Sequence, residues 1–184
     1  MIRHLPNLLS ALRLLAAPFA AWLIVSGRDT AALCVFALAG ASDGLDGFIA
    51  RHWGAISRFG AWLDPVADKL LMLFCFIALL AIGAAPAWLV MLVAARDAAI
   101  AGGWLLVRLL GLPVRQEPLL LGKITTAAQV LYVFILLLLL AFDLEAPRLA
   151  TGAAWACGLF TLLSGAAYAG LLARGFFAWG RTAS

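Results

Sequence analysis

Hydrophobic residues fill most of the chain in long runs that are separated by short polar breaks. Each run is close to 20 residues long, the length with which an apolar helix crosses about 30 Å of hydrocarbon. The breaks contain helix-ending residues such as Gly27, Gly83 and Pro86. Because unpaired backbone groups are not tolerated in lipid, this pattern predicts an all-α integral membrane protein. The six predicted transmembrane helices cover residues 8–26, 31–51, 61–83, 86–108, 120–142 and 150–173.

The composition agrees with a membrane protein. Of the 184 residues, 66% are hydrophobic and 12% are charged, whereas a soluble domain is about half apolar and about a quarter charged. The length predicts a single transmembrane domain over residues 1–184. The net charge of +4 favours contact with anionic lipid, and no nucleic acid is expected as a partner.

The distribution of positive charge predicts the orientation. In a layout of six spans, Arg28 and Arg148 fall on one side, and most of the basic residues fall on the other. Basic residues near span ends are retained on the cytoplasmic side. We therefore expect both termini on the cytoplasmic face of a cell membrane, here a bacterial inner membrane. The basic residues on that side are Arg3, Arg51, Arg58, Arg115, Lys123, Arg174 and Arg181.

One stretch of the chain concentrates carboxylates at fixed spacing. It reads Asp43-x2-Asp46-Gly47-x2-Ala50-Arg51-x8-Gly60-x3-Asp64-x3-Asp68. On helices, the first aspartate pair (i, i+3) and the second pair (i, i+4) would each share one face. Each charge costs about 2.5–3.5 kcal/mol at the centre of a membrane helix, so four acids predict a bound cation.

The residue types in this stretch indicate a phosphate ligand as well as metal. Carboxylates suit hard cations such as Mg²⁺, Mn²⁺ or Ca²⁺, and two helices with two acids each could hold a cation pair. Gly47 and Gly60 remove side chains where a ligand could approach, and Arg51 offers a planar donor fork for phosphate.

The complete stretch resembles the motif of the CDP-alcohol phosphatidyltransferase family at every defined position. The resemblance implies that two divalent cations, Mg²⁺ or Mn²⁺, are bound by Asp43, Asp46, Asp64 and Asp68. It also implies that Asp68, with a share for Asp64, is the general base, and that the protein is a homodimer. The residues implied to hold the cytidine diphosphate are Asp43, Gly47, Ala50, Arg51 and Gly60.

Two further segments resemble the branch of the family that makes phosphatidylglycerophosphate and cardiolipin. They are Pro6-Asn7-Leu8-Leu9-Ser10 and residues 58–69, Arg-Phe-Gly-Ala-Trp-Leu-Asp-Pro-Val-Ala-Asp-Lys. The expected function is therefore transfer of a phosphatidyl group from CDP-diacylglycerol to a glycerol-type acceptor, with release of CMP.

The acceptor depends on the fourth and fifth spans. Phosphatidylglycerophosphate synthases carry a Lys-x-Lys-Thr element, where this chain has Lys123-Ile124-Thr125-Thr126 with a single lysine. The doubly charged phosphate of glycerol 3-phosphate favours more than one basic side chain in its site. The singly charged phosphodiester of phosphatidylglycerol needs fewer. The pattern favours phosphatidylglycerol, which would give cardiolipin, with glycerol 3-phosphate as the alternative. Arg96 and Lys123 are predicted to contact the acceptor phosphate, although an Arg96–Asp97 structural pair is the competing interpretation.

Two functions of other classes stay open at this point. A divalent-cation transporter could use intramembrane acids as its pathway, and a catalytically silent scaffold could retain them. Arg51 and Gly60 stand at phosphate-site spacing, which a cation pathway does not need. Arg13, a charge inside an apolar run, is predicted either to snorkel to the interface or to touch the substrate.

Overall fold

A computed structural model describes the backbone of residues 5–53, 58–111 and 120–182, and the side chains of residues 11–42, 65–111 and 120–173. The described residues form six α-helices, which confirms the predicted fold class. The helices are α1 (Leu5–Val25), α2 (Asp29–Trp53), α3 (Arg58–Ala81), α4 (Ala87–Leu109), α5 (Leu120–Ala141) and α6 (Pro147–Thr182).

Three helices are long and apolar enough to cross a membrane within the described side chains: Ala87–Leu109, Leu120–Ala141 and Pro147–Ala173. Two shorter apolar stretches, Ala11–Val25 and Asp29–Ser42, belong to α1 and α2. Large apolar side chains are widely exposed, Leu109 and Leu120 among them. Such surfaces are unfavourable in water and suit lipid.

The sixth helix is longer than the predicted span 150–173, because it extends over 36 residues to Thr182. Arg174, where the apolar run ends, is a good helix former and does not terminate the helix. A helix of this length measures about 54 Å and exceeds the hydrocarbon thickness of about 30 Å. Its last turns therefore continue past the apolar layer.

Left-handed residues follow four of the described helices, and Gly111 (φ 63°) is the one after α4. Gly27 (φ 68°) and Gly83 (φ 75°) follow α1 and α3, and Asp143 (φ 50°) follows α5. After α1, the Arg28 N–H donates to the Leu23 carbonyl at 2.9 Å, the closing bond of a Schellman motif. The same pairing occurs after α3 and α5. The break at Gly27 therefore leads directly from α1 into α2.

The chain divides into two compact units. The first unit contains residues 1–85 and 133–147, and in it α1 packs against both α2 and α3. Small buried residues, Ala17 and Ala20 on α1 and Ala67 on α3, lie in its core. Residues of this size let membrane helices approach closely, so this unit holds both halves of the aspartate motif on tightly packed helices.

The second unit contains residues 86–132 and 148–184. Its helices α4 and α6 meet where the Trp88 ring lies over Gly158, and Trp88 also packs at 4.8 Å from the Trp155 ring. A Cβ at Gly158 would lie 2.7 Å from Trp88 Cζ3. Glycine is therefore required here by the neighbouring indole.

Replacing Gly158 by alanine is expected to lower the stability of the fold. Overpacking of this kind costs about 1–3 kcal/mol, because the rigid indole must move. Gly152→Ala is the matched control on the same helix, since nothing lies within 4 Å of the added carbon there. Thermal unfolding in detergent should show a lower midpoint for Gly158→Ala and an unchanged or higher one for Gly152→Ala. Equal midpoints for the two variants would contradict this packing.

Candidate active site at the aspartate motif

The aspartate motif is divided between two consecutive helices. Residues 43–51 lie in the last turns of α2, and residues 60–68 lie in the first turns of α3. Only five residue steps connect Trp53 with Arg58, which span at most about 18 Å. The connection therefore keeps the two halves of the motif in one region. The side chains of all motif residues before Asp68 lie outside the described ones.

Asp68, the last motif residue, is held by a buried arginine of α1. Arg13 Nη1 donates to Asp68 Oδ1 at 2.6 Å. The Arg13 side chain is 1% exposed, whereas the Asp68 side chain is 44% exposed. A charge-assisted hydrogen bond of this length is among the strong ones. It fixes the carboxylate at one end of the motif while leaving it accessible from outside the protein.

The position of Arg13 contradicts one of its two predicted roles, which was snorkelling to the interface. A snorkelling arginine keeps its charged head in water, but this side chain is buried and forms an ion pair. Buried charges in proteins are paired or bind metals. Arg13 therefore contacts the motif from a different helix, α1. Its sequence signal was the isolated charge inside the first apolar run.

The donor set of the motif fits hard divalent cations. It consists of carboxylates without histidine or cysteine at motif positions, the ligand type that suits Mg²⁺ and Mn²⁺. Within the described part of the chain, no three His, Cys, Asp or Glu residues come together. The side chains of Asp43, Asp46 and Asp64 lie outside that part of the chain.

A second polar cluster surrounds Arg96 in the other unit. Arg96 Nη1 donates to Asp97 Oδ1 at 2.7 Å, and Nη2 donates to Ser164 Oγ at 2.6 Å. The guanidinium carbon lies 5.8 Å from the centre of the Tyr168 ring. The Arg96–Asp97 pair that sequence reasoning considered is thus present, and α6 supplies two further contacts. These contacts hold the guanidinium in one orientation.

Gly122 of α5 lies beside this guanidinium. A Cβ on Gly122 would be 3.1 Å from the Tyr168 hydroxyl oxygen and 3.7 Å from Arg96 Nη2. The next residue along α5 is Lys123, which is exposed. The fold therefore brings Arg96 next to the helix segment that carries Lys123, the other predicted acceptor residue.

Thr125 occupies the position at which the Lys-x-Lys-Thr element has its second lysine. Its side chain is fully buried. Its hydroxyl lies 2.8 Å from the carbonyl oxygens of Leu121 and Phe160, on α5 and α6. The position is therefore part of the packing between two helices.

Sequence reasoning missed Ser164 and Tyr168. Both lie on α6 among apolar residues, and Ser164 is fully buried. The sequence indicated them only as two hydroxyl-bearing residues at i, i+4 spacing, one helical turn apart, within an apolar span. That pattern is common in membrane helices, where such hydroxyls join neighbouring helices, so it did not indicate a site without the position of Arg96.

Comparison with known proteins decides the family. The model of the family described as CDP-alcohol phosphatidyltransferase matches residues 3–163, which includes the aspartate motif, Arg13 and Arg96. The chain belongs to the CDP-alcohol phosphatidyltransferase family. The resemblance that the motif indicated is thereby confirmed, and a membrane-embedded all-α phosphatidyltransferase fold accounts for the six helices.

Curated members of the phosphatidyltransferase family carry two kinds of name. The chain is 37% identical over 144 residues to a probable cardiolipin synthase (CMP-forming) of Drosophila melanogaster. It is 40% identical over 141 residues to a cardiolipin synthase (CMP-forming) of Streptomyces coelicolor. It is 38% identical over 135 residues to a CDP-diacylglycerol–glycerol-3-phosphate 3-phosphatidyltransferase of Bacillus subtilis.

These alignments cover most of this phosphatidyltransferase chain and a smaller share of some relatives. The match covers 70% of this chain but 45% of the Drosophila protein. It covers 73% of this chain together with 65% of the Streptomyces protein and 69% of the Bacillus protein. The named relatives thus include cardiolipin synthases and a glycerol-3-phosphate 3-phosphatidyltransferase.

Proposed function

We propose that this chain transfers the phosphatidyl group of CDP-diacylglycerol to a hydroxyl of a glycerol-type acceptor and releases CMP. The complete aspartate motif, ending in the Arg13–Asp68 pair, carries this proposal. Arg13 supports it because its buried guanidinium holds one oxygen of the last carboxylate of the motif. Membership of the family favours this enzyme over a divalent-cation transporter or a silent scaffold.

The donor would bind at the two halves of the motif. We assign Asp43, Asp46, Asp64 and Asp68 to two divalent cations, Mg²⁺ or Mn²⁺, whose charge would neutralise the pyrophosphate of the donor. The cytidine diphosphate would lie against Asp43, Gly47, Ala50, Arg51 and Gly60. The glycines leave room for the ligand, and Arg51 supplies paired donors for phosphate oxygens.

The reaction needs a group that accepts the proton of the acceptor hydroxyl, and this group must be oriented toward that hydroxyl. Asp68, with a share for Asp64, would accept the proton of the acceptor hydroxyl. The hydroxyl oxygen then forms a bond with the lipid-side phosphorus, and the bond from that phosphorus to the CMP oxygen breaks. Because Arg13 holds one oxygen of Asp68, the carboxylate is oriented before the substrate arrives.

For the acceptor, we propose phosphatidylglycerol, which would give cardiolipin, with glycerol 3-phosphate as the alternative. The buried Thr125 supports this choice. It stands at the position of the second lysine of the Lys-x-Lys-Thr element, so Lys123 is the one basic side chain of that element. The relatives named cardiolipin synthase support it too, whereas the Bacillus relative supports the alternative. Arg96 and Lys123 would contact the acceptor phosphate.

Replacing Arg96 by lysine, or Ser164 by alanine, is expected to weaken acceptor binding selectively. A hydrogen bond to a charged group contributes about 1.5–3 kcal/mol, so KM for the acceptor should rise by roughly tenfold or more. KM for CDP-diacylglycerol should change little, because these residues are not assigned to the donor. Steady-state rates of CMP release, measured with each substrate varied separately, give the two KM values.

Arg108→Lys is the matched control, because Arg108 is an exposed arginine on the same helix as Arg96. It should leave both KM values unchanged. Equal increases of the two KM values in Arg96→Lys would indicate a general structural role for Arg96 and would contradict its assignment to the acceptor.

The proposed reaction is tested by identifying its products. Purified protein is incubated with CDP-diacylglycerol and either phosphatidylglycerol or glycerol 3-phosphate, and the lipids are analysed by mass spectrometry. Cardiolipin with the first acceptor is the expected result, and phosphatidylglycerophosphate with the second would establish the alternative. Release of CMP with neither acceptor would overturn the proposed function.

We also propose that the motif opens to the cytoplasm and that the protein is a homodimer. The excess of basic residues on one side of the span layout supports the orientation. The dimer rests on the family resemblance. Labelling of single cysteines in sealed vesicles tests the orientation, and light scattering in detergent tests the dimer. Labelling of residue 28 only from the cytoplasmic side, or a monomeric mass, would contradict the respective proposal.

A further inference from the structure

The carboxylate of Asp97 on α4 is held by a buried arginine of the same helix. Arg96 Nη1 donates to Asp97 Oδ1 at 2.7 Å. The Arg96 side chain is 7% exposed, whereas the Asp97 side chain is 28% exposed. The pair therefore keeps its positive end inside the protein and leaves its negative end accessible. The Arg13–Asp68 pair of the aspartate motif has the same asymmetry.

This contact differs from the usual ion pair of a helix surface. Adjacent positions point about 100° apart around a helix and do not face each other, so surface pairs are normally three or four residues apart. Arg96 is also held from α6, because Nη2 donates to Ser164 Oγ at 2.6 Å and the guanidinium lies 5.8 Å from the centre of the Tyr168 ring. The Asp97 carboxylate is thus bound to a guanidinium that a second helix keeps in place.

The chemistry of Asp97 suits a ligand that donates a hydrogen bond. A carboxylate only accepts hydrogen bonds, and its two oxygens offer about four lone-pair positions, so the bond from Arg96 does not exhaust its capacity. The charge of Arg96 offsets that of Asp97, which makes a neutral donor a better partner for this carboxylate than a cation. A hydroxyl is such a donor, and its bond to a carboxylate is roughly twice as strong as a bond between neutral groups.

The pair lies level with the first turn of α5. A Cβ on Gly122 would be 3.7 Å from Arg96 Nη2, and Gly122 lies two residues after α5 begins at Leu120. The charge distribution predicts that this end of α5 is cytoplasmic. Lys123, which is proposed to contact the acceptor phosphate, is the next residue along α5 and is exposed. A hydroxyl acceptor therefore lies beside the helix turn that carries the proposed phosphate ligand.

We propose that Asp97 accepts a hydrogen bond from the secondary hydroxyl of the acceptor's glycerol unit and thereby selects a glycerol over a simple alkyl alcohol. The inference rests on the proposed function and assigns a specificity-determining residue for its acceptor. Phosphatidylglycerol and glycerol 3-phosphate share a phosphate, a primary hydroxyl that reacts and a secondary hydroxyl on the carbon between them. The assignment of Asp97 is therefore the same for either acceptor.

Acceptors that lack only the secondary hydroxyl test this assignment. The 1,3-propanediol analogue of phosphatidylglycerol and 3-hydroxypropyl phosphate each keep the phosphate and the primary hydroxyl. With the unaltered protein, kcat/KM should be lower by about tenfold or more for the analogue than for the matching glycerol compound, because the analogue leaves the carboxylate without its hydroxyl partner. Rates of CMP release at varied acceptor concentration give these values. Equal kcat/KM for the two compounds of a pair would overturn the proposal.

Asp97→Ala should remove this preference and bring the two compounds of a pair to within about twofold of each other. Arg96→Lys should lower kcat/KM for both compounds and retain the preference, because it leaves Asp97 in place. Glu145→Ala is the control, since it removes an exposed carboxylate in the break between α5 and α6 and should change neither value. A preference that folded Asp97→Ala retains would show that Asp97 only orients Arg96, and would overturn the proposal.

A binding measurement separates this inference from the proposed function. Acceptors that bind the folded protein raise its unfolding temperature in the absence of any donor. The glycerol compound should raise it more than the analogue does in the unaltered protein, and equally in Asp97→Ala. Absence of CMP release would overturn the proposed function, while these shifts would still decide whether Asp97 recognises the hydroxyl. Normal CMP release with equal shifts in the unaltered protein would overturn the assignment of Asp97 alone.

Discussion

Asp68→Asn is expected to reduce CMP release by about a hundredfold or more, the size of effect that follows the loss of one electrostatic group at a reaction centre. Asparagine keeps the shape of the side chain but removes the charge and the capacity to accept a proton. Asp68 is proposed as both a cation ligand and the general base, so both contributions are lost together. CMP release by purified protein at saturating substrates measures the effect.

The same substitution also removes the charged partner of Arg13, so stability must be measured separately. Breaking a fully buried ion pair costs about 3–5 kcal/mol, but the half-exposed Asp68 makes this an upper limit. We expect a lower unfolding temperature and a folded protein. Asp143→Asn is the matched control, because Asp143 lies in a turn at φ 50° that asparagine adopts readily. If folded Asp68→Asn kept more than about a tenth of the activity, the assignment of Asp68 to the chemistry would fail.

Removal of divalent cations is expected to abolish activity reversibly. The candidate metal ligands of the motif are four carboxylates, a donor type that suits hard divalent cations. Treatment with EDTA should therefore reduce CMP release to background, and excess Mg²⁺ or Mn²⁺ should restore it. Potassium chloride at matched ionic strength is the control and should restore nothing.

Metal binding can also be followed without turnover. A ligand that binds the folded state and not the unfolded state raises the free energy of unfolding by RT ln(1 + [L]/Kd), so the effect grows with the logarithm of the ligand concentration. Mg²⁺ or Mn²⁺ should therefore raise the unfolding temperature of the unaltered protein more than that of Asp68→Asn. Full activity in the presence of a chelator, together with no thermal shift, would contradict the proposed cation site. Metal flux into liposomes without any nucleotide would instead support a transporter.

The fold could be predicted from sequence because lipid allows few alternatives. Apolar runs of membrane-spanning length must become helices, and glycine and proline marked most of their ends. The end of α6 at Thr182 was missed because the apolar run stops at Ala173, while helix propensity continues through Arg174. The apolar pattern indicates which part of a helix lies in lipid, but the helix itself can continue into water.

The site could be predicted only where its residues are close in the sequence. The aspartate motif occupies two consecutive helices, so its spacing is visible in the linear chain. Arg13 reaches Asp68 across 55 positions, and Ser164 reaches Arg96 across 68. No periodicity links such pairs. The charge of Arg13 indicated that a partner was needed, but the partner's identity required the packing of α1 on α3.

The Arg13–Asp68 pair has a consequence for how the protein enters the membrane. During synthesis α1 is inserted first, and its arginine carries an insertion cost whose upper limit is the value of about 2.5–3.5 kcal/mol for a charge at the centre of a bilayer. The carboxylate that offsets this cost is on α3, which is made later. We therefore expect α1 and α2 to be only weakly retained in the bilayer as an isolated hairpin. The third helix would then complete the donor site and, in the same event, secure the first helix in the membrane.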